Sequence, residues 1–166
     1  MNVIFHVTTA LGVAAVLTDT FNIKSVKESF IPASFAFISG VIIHGILDYL
    51  PHTYPLSAKV DTVLGLLIIV GVTFLSNRKY TLIVGLAFLG SIFPDLVDLL
   101  PSVADKYLGL DITNHTKVFP WHWKEYSGSI FNGNDRVSDI NHILVLALTA
   151  IVCWFRRRDL KKILSK

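Results

Sequence analysis

Two histidines and an aspartate recur at four-residue steps near the end of a long apolar run. They are His44, Asp48 and His52, in the segment HGILDYLPH. On a helix, residues four apart drift by only about 40° and share one face. Pro51 is expected to end the helix before His52, so the second step is less regular than the first. Because such groups are costly to bury unless they are paired or bind a metal, the segment predicts a metal site.

The composition is typical of a membrane protein. The chain has 166 residues, of which 52% are hydrophobic and 16% are charged, and its mean hydropathy is +0.59. Soluble domains carry about 25% charged residues, so a buried soluble bundle would have too few charges to coat its surface. The one cysteine, Cys153, lies in an apolar run and excludes an intrachain disulfide.

Five apolar segments predict an all-α integral membrane bundle of about five transmembrane helices in a single domain over 1–166. The segments cover residues 3–17, 30–50, 60–75, 80–100 and 140–155. A long loop over 102–138, rich in aromatic residues, is expected to pack at the membrane interface or to re-enter it. Small residues that would let the helices approach closely in lipid are Gly40, Gly45, Gly65, Gly71, Gly85 and Gly90.

Basic residues predict the orientation. If the basic tail over 156–166 is cytoplasmic, ten of the fifteen Lys and Arg residues lie inside, in agreement with the positive-inside rule. The N-terminus is then outside, and the expected location is a bacterial inner (cell) membrane. Because the tail directly follows an apolar segment, we interpret it as a topology signal, and we expect no nucleic-acid partner.

This orientation gathers candidate ligands from all five helices at the outer face. The predicted metal ligands are His6, His44, Asp48, His52, Asp95, Asp98 and His142. The predicted general bases or supporting groups are Asp61 and Asp139. Two loop histidines are left open as further ligands or surface residues: His115 and His122. Structural alternatives also stay open. The helix histidines could be hydrogen-bonded core residues, and Asp139 competes with Ser138 as a helix N-cap.

Imidazole and carboxylate donors without a thiolate favour a divalent metal, zinc first, with manganese or iron as alternatives. The supply exceeds one tetrahedral shell, so two metals bridged by Asp48 or Asp95 are an alternative to one. Such a site can activate water and bind a phosphoryl or acyl oxygen. The chain has no G-x-S-x-G elbow, glycine-rich phosphate loop or H-E-x-x-H, so serine-nucleophile and nucleotide-driven enzymes are not supported.

A family resemblance rests on three features: the early His6, the Pro94-Asp95-Leu-Val-Asp98 turn after a glycine-bearing helix, and the late His142. Together they resemble the membrane-bound metal-dependent hydrolases of the YdjM-like type, over most of the chain in layout. The family's Pro-Asp-x-Asp turn has one more intervening residue here, and its His-Arg-Gly-x-Thr-His segment is absent. The resemblance implies hydrolysis and names no substrate.

The leading interpretation is a membrane-embedded metal-dependent hydrolase that acts on a lipid-linked or membrane-proximal ester or phosphoester at the outer face. One rival is a component of a metal-ion or proton carrier, because intramembrane carboxylates and histidines also build ion relays. The first, third and fifth helices offer few polar residues for a path to the inner side, which weakens that rival. Another rival is a non-catalytic subunit of a membrane complex.

Overall fold

The computed structural model describes residues 1–109, 116–131 and 133–165. Within these ranges the chain is helical apart from loops, turns and one isolated β-bridge. The α-helices are α1 (Val3–Leu17), α2 (Phe30–Tyr49), α3 (Ala58–Leu75), α4 (Thr81–Asp98), α5 (Leu100–Leu108), α6 (Arg136–Phe155) and α7 (Arg157–Ile163). The predicted all-α bundle of about five long apolar helices is confirmed, since α1, α2, α3, α4 and α6 match the five predicted segments.

Four of these helices, α2, α3, α4 and α6, are long and apolar enough to cross a membrane. Helix α1 is equally apolar but has 15 residues, fewer than the usual span of about 20. Large apolar side chains cover the outer faces of the bundle, among them Ile38, Leu67, Phe74 and Leu148. Exposed apolar surface of this extent fits contact with lipid tails better than contact with water. The chain is therefore a membrane protein.

The core of the bundle lies where α1, α2 and α4 meet. Helix α2 packs along α4, and α1 lies against both. The buried residues at this junction include Val7, Ala10, Ala36, Val84 and Phe88. Alanine is frequent here because helices in lipid gain their stability from close backbone approach. A tight apolar plug thus fills the bundle on one side of the candidate ligands.

Two of the predicted glycines are needed for the contact between α2 and α4. A Cβ atom at Gly90 would lie 2.2 Å from the carbonyl oxygen of Phe37, and one at Gly40 would lie 2.8 Å from the carbonyl oxygen of Ala87. Such distances require the backbones to separate. At Gly71, by contrast, nothing lies within 4 Å of the added atom. The small-residue pattern therefore marks the α2–α4 contact but no contact at position 71.

The predicted loop over 102–138 contains most of a further helix, α5. Pro101 lies in its first turn, where the missing N–H costs no hydrogen bond, and Gly109 ends it with a φ of 62°. Helix α6 begins at Arg136, earlier than predicted, because Asp135 caps it by accepting a 2.8 Å bond from the Ser138 N–H.

The basic tail is also partly helical. Helix α7 packs its Ile163 into the core, and the Ile163 carbonyl accepts a 2.7 Å hydrogen bond from the Asn77 N–H in the α3–α4 turn. The tail is thus anchored to the bundle through an apolar residue, while its lysines and arginines stay at the surface.

Replacement of Gly90 by alanine should lower the melting temperature of the protein in detergent, because the new methyl group collides with the Phe37 carbonyl. Overpacking of this kind typically costs about 1–3 kcal/mol. The matched control, Gly71→Ala, places the same methyl group in open space and should be neutral or stabilising by up to about 1 kcal/mol. Equal melting temperatures for the two variants would contradict the close α2–α4 contact.

Candidate metal centre

Helix α2 presents His44 and Asp48 one turn apart, as predicted. The helix ends at Tyr49, before Pro51. Both side chains point into the bundle, where His44 is 0% exposed and Asp48 is 6% exposed. The four-residue spacing therefore places two potential ligands on the buried face of the helix, close to its end.

Helix α4 supplies Asp95 and Asp98 at its own end, after running through Pro94. The two carboxylates have different surroundings. Asp98 is fully buried and accepts hydrogen bonds from the N–H groups of Val118 (2.7 Å) and Phe119 (2.9 Å). Asp95 has a side chain that is 20% exposed. Asp98 thus fixes the returning loop, and Asp95 is free to face the other ligands.

His122 completes the group from a short 3-10 turn, Pro120–His122, in the loop between α5 and α6. The turn is seated by its neighbour Trp121, whose ring packs against Gly45 so closely that a Cβ there would lie 2.7 Å from it. The sequence left His122 open because loop histidines are usually surface residues. Its aromatic neighbours, in FPWHW, were the signal that this loop packs against the bundle.

Four side chains converge at this point: His44, Asp48, Asp95 and His122. The Nε2 atom of His122 lies 3.3 Å from Asp48 Oδ2 and 3.3 Å from Asp95 Oδ1. The Nε2 atom of His44 lies 3.3 Å from Asp48 Oδ2, 3.7 Å from Asp95 Oδ1 and 3.3 Å from His122 Nε2. In a tetrahedral site with bonds of about 2.0–2.1 Å, the ligand atoms are separated by about 3.3–3.4 Å. The four side chains have the spacing of such a shell and could hold a metal ion.

The second nitrogen of each imidazole is already committed. His44 Nδ1 lies 2.7 Å from the Ser91 carbonyl oxygen, and His122 Nδ1 lies 2.8 Å from Asp98 Oδ2. Both oxygens can only accept, so each Nδ1 carries a hydrogen and a neutral ring has its lone pair on Nε2. Two Nε2 lone pairs and two carboxylates therefore face one another. Metal-bound histidines are oriented by this kind of second hydrogen bond.

The surroundings of His122 favour positive charge. Burial by itself would lower the pKa of this histidine, but hydrogen bonds to Asp48, Asp95 and Asp98 raise it to about 9. The group of carboxylates thus attracts a cation strongly enough to outweigh the cost of desolvation. A divalent metal would profit from the same field.

The other oxygen of Asp48 faces α1. His6 Nε2 lies 3.2 Å from Asp48 Oδ1, and the His6 ring stacks on His44 with a centroid separation of 4.0 Å. Neither ring nitrogen of His6 makes a well-directed hydrogen bond, although the residue is buried. The backbone nitrogen of Met1 also contacts Asp48 Oδ1. His6 therefore lies directly behind the four-residue group, where a second buried nitrogen is available.

Two predicted histidine ligands lie elsewhere. His52 donates from Nδ1 to the Leu50 carbonyl (2.8 Å) and accepts at Nε2 from Tyr54 or Ser129 (3.2 Å each). His142 stacks on Phe5 at a centroid separation of 4.4 Å. Neither belongs to the converging group in the described part of the chain.

Asp61 and Asp139, the predicted general bases, also lie outside the group. Asp61 accepts hydrogen bonds from the N–H groups of Val3 (2.7 Å) and Ile4 (3.0 Å), so it caps α1 from a neighbouring helix. Asp139 is exposed in the first turn of α6. His115 falls outside the residues that the structure describes.

Comparison with protein-family models, with curated proteins and with solved structures finds no match to this chain. The resemblance to YdjM-like hydrolases stays a prediction.

Asp61→Asn should destabilise the protein without changing its metal content. The amide offers one acceptor oxygen in place of two and no charge to complement the two N–H groups of α1, and loss of a cap costs about 0.5–2 kcal/mol. Thermal unfolding in detergent measures the first effect, and elemental analysis measures the second. Loss of metal in a stable Asp61→Asn protein would show that this carboxylate belongs to the metal site.

The protein should lose stability as the pH falls from about 6.5 towards 4, in part through His52. Burial lowers the pKa of His52 to about 4, whereas an unfolded histidine titrates near about 6.5. Between these values only the unfolded chain binds the proton, so stability drops by at most about 1.4 kcal/mol per pH unit for this group.

The matched comparison is His52→Gln, which cannot titrate in this range. Its melting temperature should lie below that of the wild type at pH 7.5, and the difference should shrink by pH 5. A difference that stays constant between these pH values would contradict a neutral, buried His52.

Proposed function

We propose that this protein is a membrane-embedded metal-dependent hydrolase that acts on a lipid-linked or membrane-proximal ester or phosphoester. The observation that carries the proposal is the convergence of two imidazole Nε2 atoms, 3.3 Å apart, on two carboxylates. Neutral rings in this arrangement would set lone pairs against each other and against negative oxygens. A shared cation removes that repulsion, and a divalent metal fits the spacing.

Zinc is the metal that the donor set favours. Two nitrogens, two oxygens and separations of 3.3–3.7 Å fit its tetrahedral preference, and manganese or iron are the alternatives. A bound zinc ion would supply Lewis acidity and lower the pKa of a coordinated water. The four ligands form one compact shell, which favours a single metal over the bridged pair.

The protein's own groups would orient and hold the site. Ser91 and Asp98 fix the two imidazole rings through their Nδ1 hydrogens. Asp48 turns Oδ2 towards the rings and Oδ1 towards His6. His6, with a buried nitrogen 3.2 Å from that carboxylate, is better placed than Asp61 or Asp139 to accept a proton during hydrolysis.

Access to the site favours a lipid-linked substrate. Asp95 is the most exposed of the four ligands, with 20% of its side chain accessible against 9% or less for the others. The residues beside it on the same surface, Leu96 and Leu99, are exposed and apolar. A substrate that reaches Asp95 would therefore approach along a lipid-facing surface. We place this end of the bundle on the outer side, with the basic tail in the cytoplasm, because that agrees with the positive-inside rule.

A structural role for the metal is the second candidate. Closed sites with four protein ligands are typical of structural zinc, and three of the four ligands here are nearly inaccessible. His122 would then tie the loop to α2 and α4. The carrier interpretation has less support, because buried Ala10, Val84 and Phe88 fill the bundle beyond the ligands with apolar side chains.

Purified protein should contain about one zinc per chain, measured by mass spectrometry of the elements. Asp48→Asn and His122→Gln should lose the metal, and Asp98→Asn should bind it about 10–100-fold more weakly, because the Nδ1 partner is weakened. The matched control is Glu125→Gln, which neutralises an exposed carboxylate in the same loop and should retain the metal.

Hydrolysis of lipid phosphoesters and carboxylic esters in mixed micelles should follow metal content across these variants. Activity that is lost on chelation and restored by zinc supports the hydrolase. A protein that binds zinc, loses loop structure on chelation and hydrolyses none of these esters would favour the structural role. A folded, metal-free protein that is unaffected by chelators would contradict both.

A further inference from the structure

A crevice of about 1170 Å³ opens between α3 and α4, independent of the candidate metal centre. Asp95 lies 14 residues beyond Thr81 along α4, which corresponds to about 21 Å, and the crevice begins at the Thr81 end. Most of its wall is apolar. The apolar lining residues are Ile69, Val70, Phe74, Gly85, Leu89 and Ile92.

The mouth of the crevice is basic and polar. The turn between α3 and α4 contributes Ser76, Asn77, Arg78 and Lys79 to the lining. Both cationic side chains are exposed, and no carboxylate among the described residues lines the crevice. A ligand that fits must therefore carry negative charge at one end and hydrocarbon at the other.

The length of the crevice matches one leaflet of a membrane. Its lining on α4 runs from Thr81 to Ile92, a rise of about 16 Å. Half of a hydrocarbon core about 30 Å thick is about 15 Å. An acyl chain that follows α4 from the turn would thus end near the middle of the bilayer, with its headgroup at the level of the basic residues.

The same end of the bundle carries other basic residues. The α3–α4 turn contacts α7 through the Asn77–Ile163 hydrogen bond of 2.7 Å, and α7 holds Arg158, Lys161 and Lys162 at the surface. Basic pockets between membrane helices on a positively charged face are typical binding sites for anionic lipid headgroups. We propose that the crevice between α3 and α4 binds an anionic glycerophospholipid, with its phosphate at Arg78 and Lys79.

The test is lipid binding to the full chain in detergent, measured by native mass spectrometry. The probes are dioleoyl phosphatidylglycerol, which is anionic, and dioleoyl phosphatidylcholine, which has the same chains and no net charge. The wild type should bind phosphatidylglycerol more tightly. The double variant R78Q/K79Q should weaken phosphatidylglycerol binding roughly 30-fold at low salt and leave phosphatidylcholine binding unchanged.

Two further variants separate charge from shape. K24Q/K27Q removes the same number of charges from exposed residues outside the crevice and should bind both lipids like the wild type. Gly85→Phe fills the crevice, since an added Cβ meets only Thr73 Cγ2, at 3.9 Å, and should weaken both lipids.

Equal affinity for the two lipids in the wild type would overturn the proposal, as would equal losses in R78Q/K79Q and K24Q/K27Q. A dimer that forms without bound lipid and is broken by Gly85→Phe would also overturn it, because the occupant would then be a second copy of the chain. If Gly85→Phe does not fold, the charge variants decide alone, since their side chains are exposed.

Discussion

The structure depends on how a mainly apolar bundle accommodates two carboxylates and two imidazoles at one buried point. Each uncompensated charge removed from water costs several kcal/mol, and a chain with 16% charged residues has few with which to compensate. Asp48 and Asp95 are compensated only by His44 and His122 and by what those rings bind. A cation shared by the four groups is the simplest way to satisfy them at once, and the Nδ1 hydrogen bonds leave both Nε2 atoms available for it.

Much of the surrounding architecture brings these groups together. The glycines of the α2–α4 contact allow the two helices to touch, so that the ends carrying Asp48 and Asp95 meet. Asp98 then holds the loop by two backbone hydrogen bonds and orients His122 by a third. One buried carboxylate thus links the fold of the loop to the position of a ligand.

The helices and half of the candidate site could be predicted from the sequence, because both depend on local periodicity. The apolar segments gave the long helices, and the four-residue step placed His44 and Asp48 on one buried face. The role of His122 could not be predicted, since it depends on how a loop folds back over two helices. The hydrogen bonds that draw Asp61 and His52 to other tasks are likewise long-range or loop contacts that leave no periodic signal.

The most direct test is X-ray diffraction at the zinc absorption edge from crystals of the full chain in lipid or detergent. We predict one anomalous peak, at about 2.0–2.1 Å from the Nε2 atoms of His44 and His122 and within bonding distance of Asp48 and Asp95. A structure with these four side chains in place and no anomalous peak between them, after growth in zinc, would contradict the central claim.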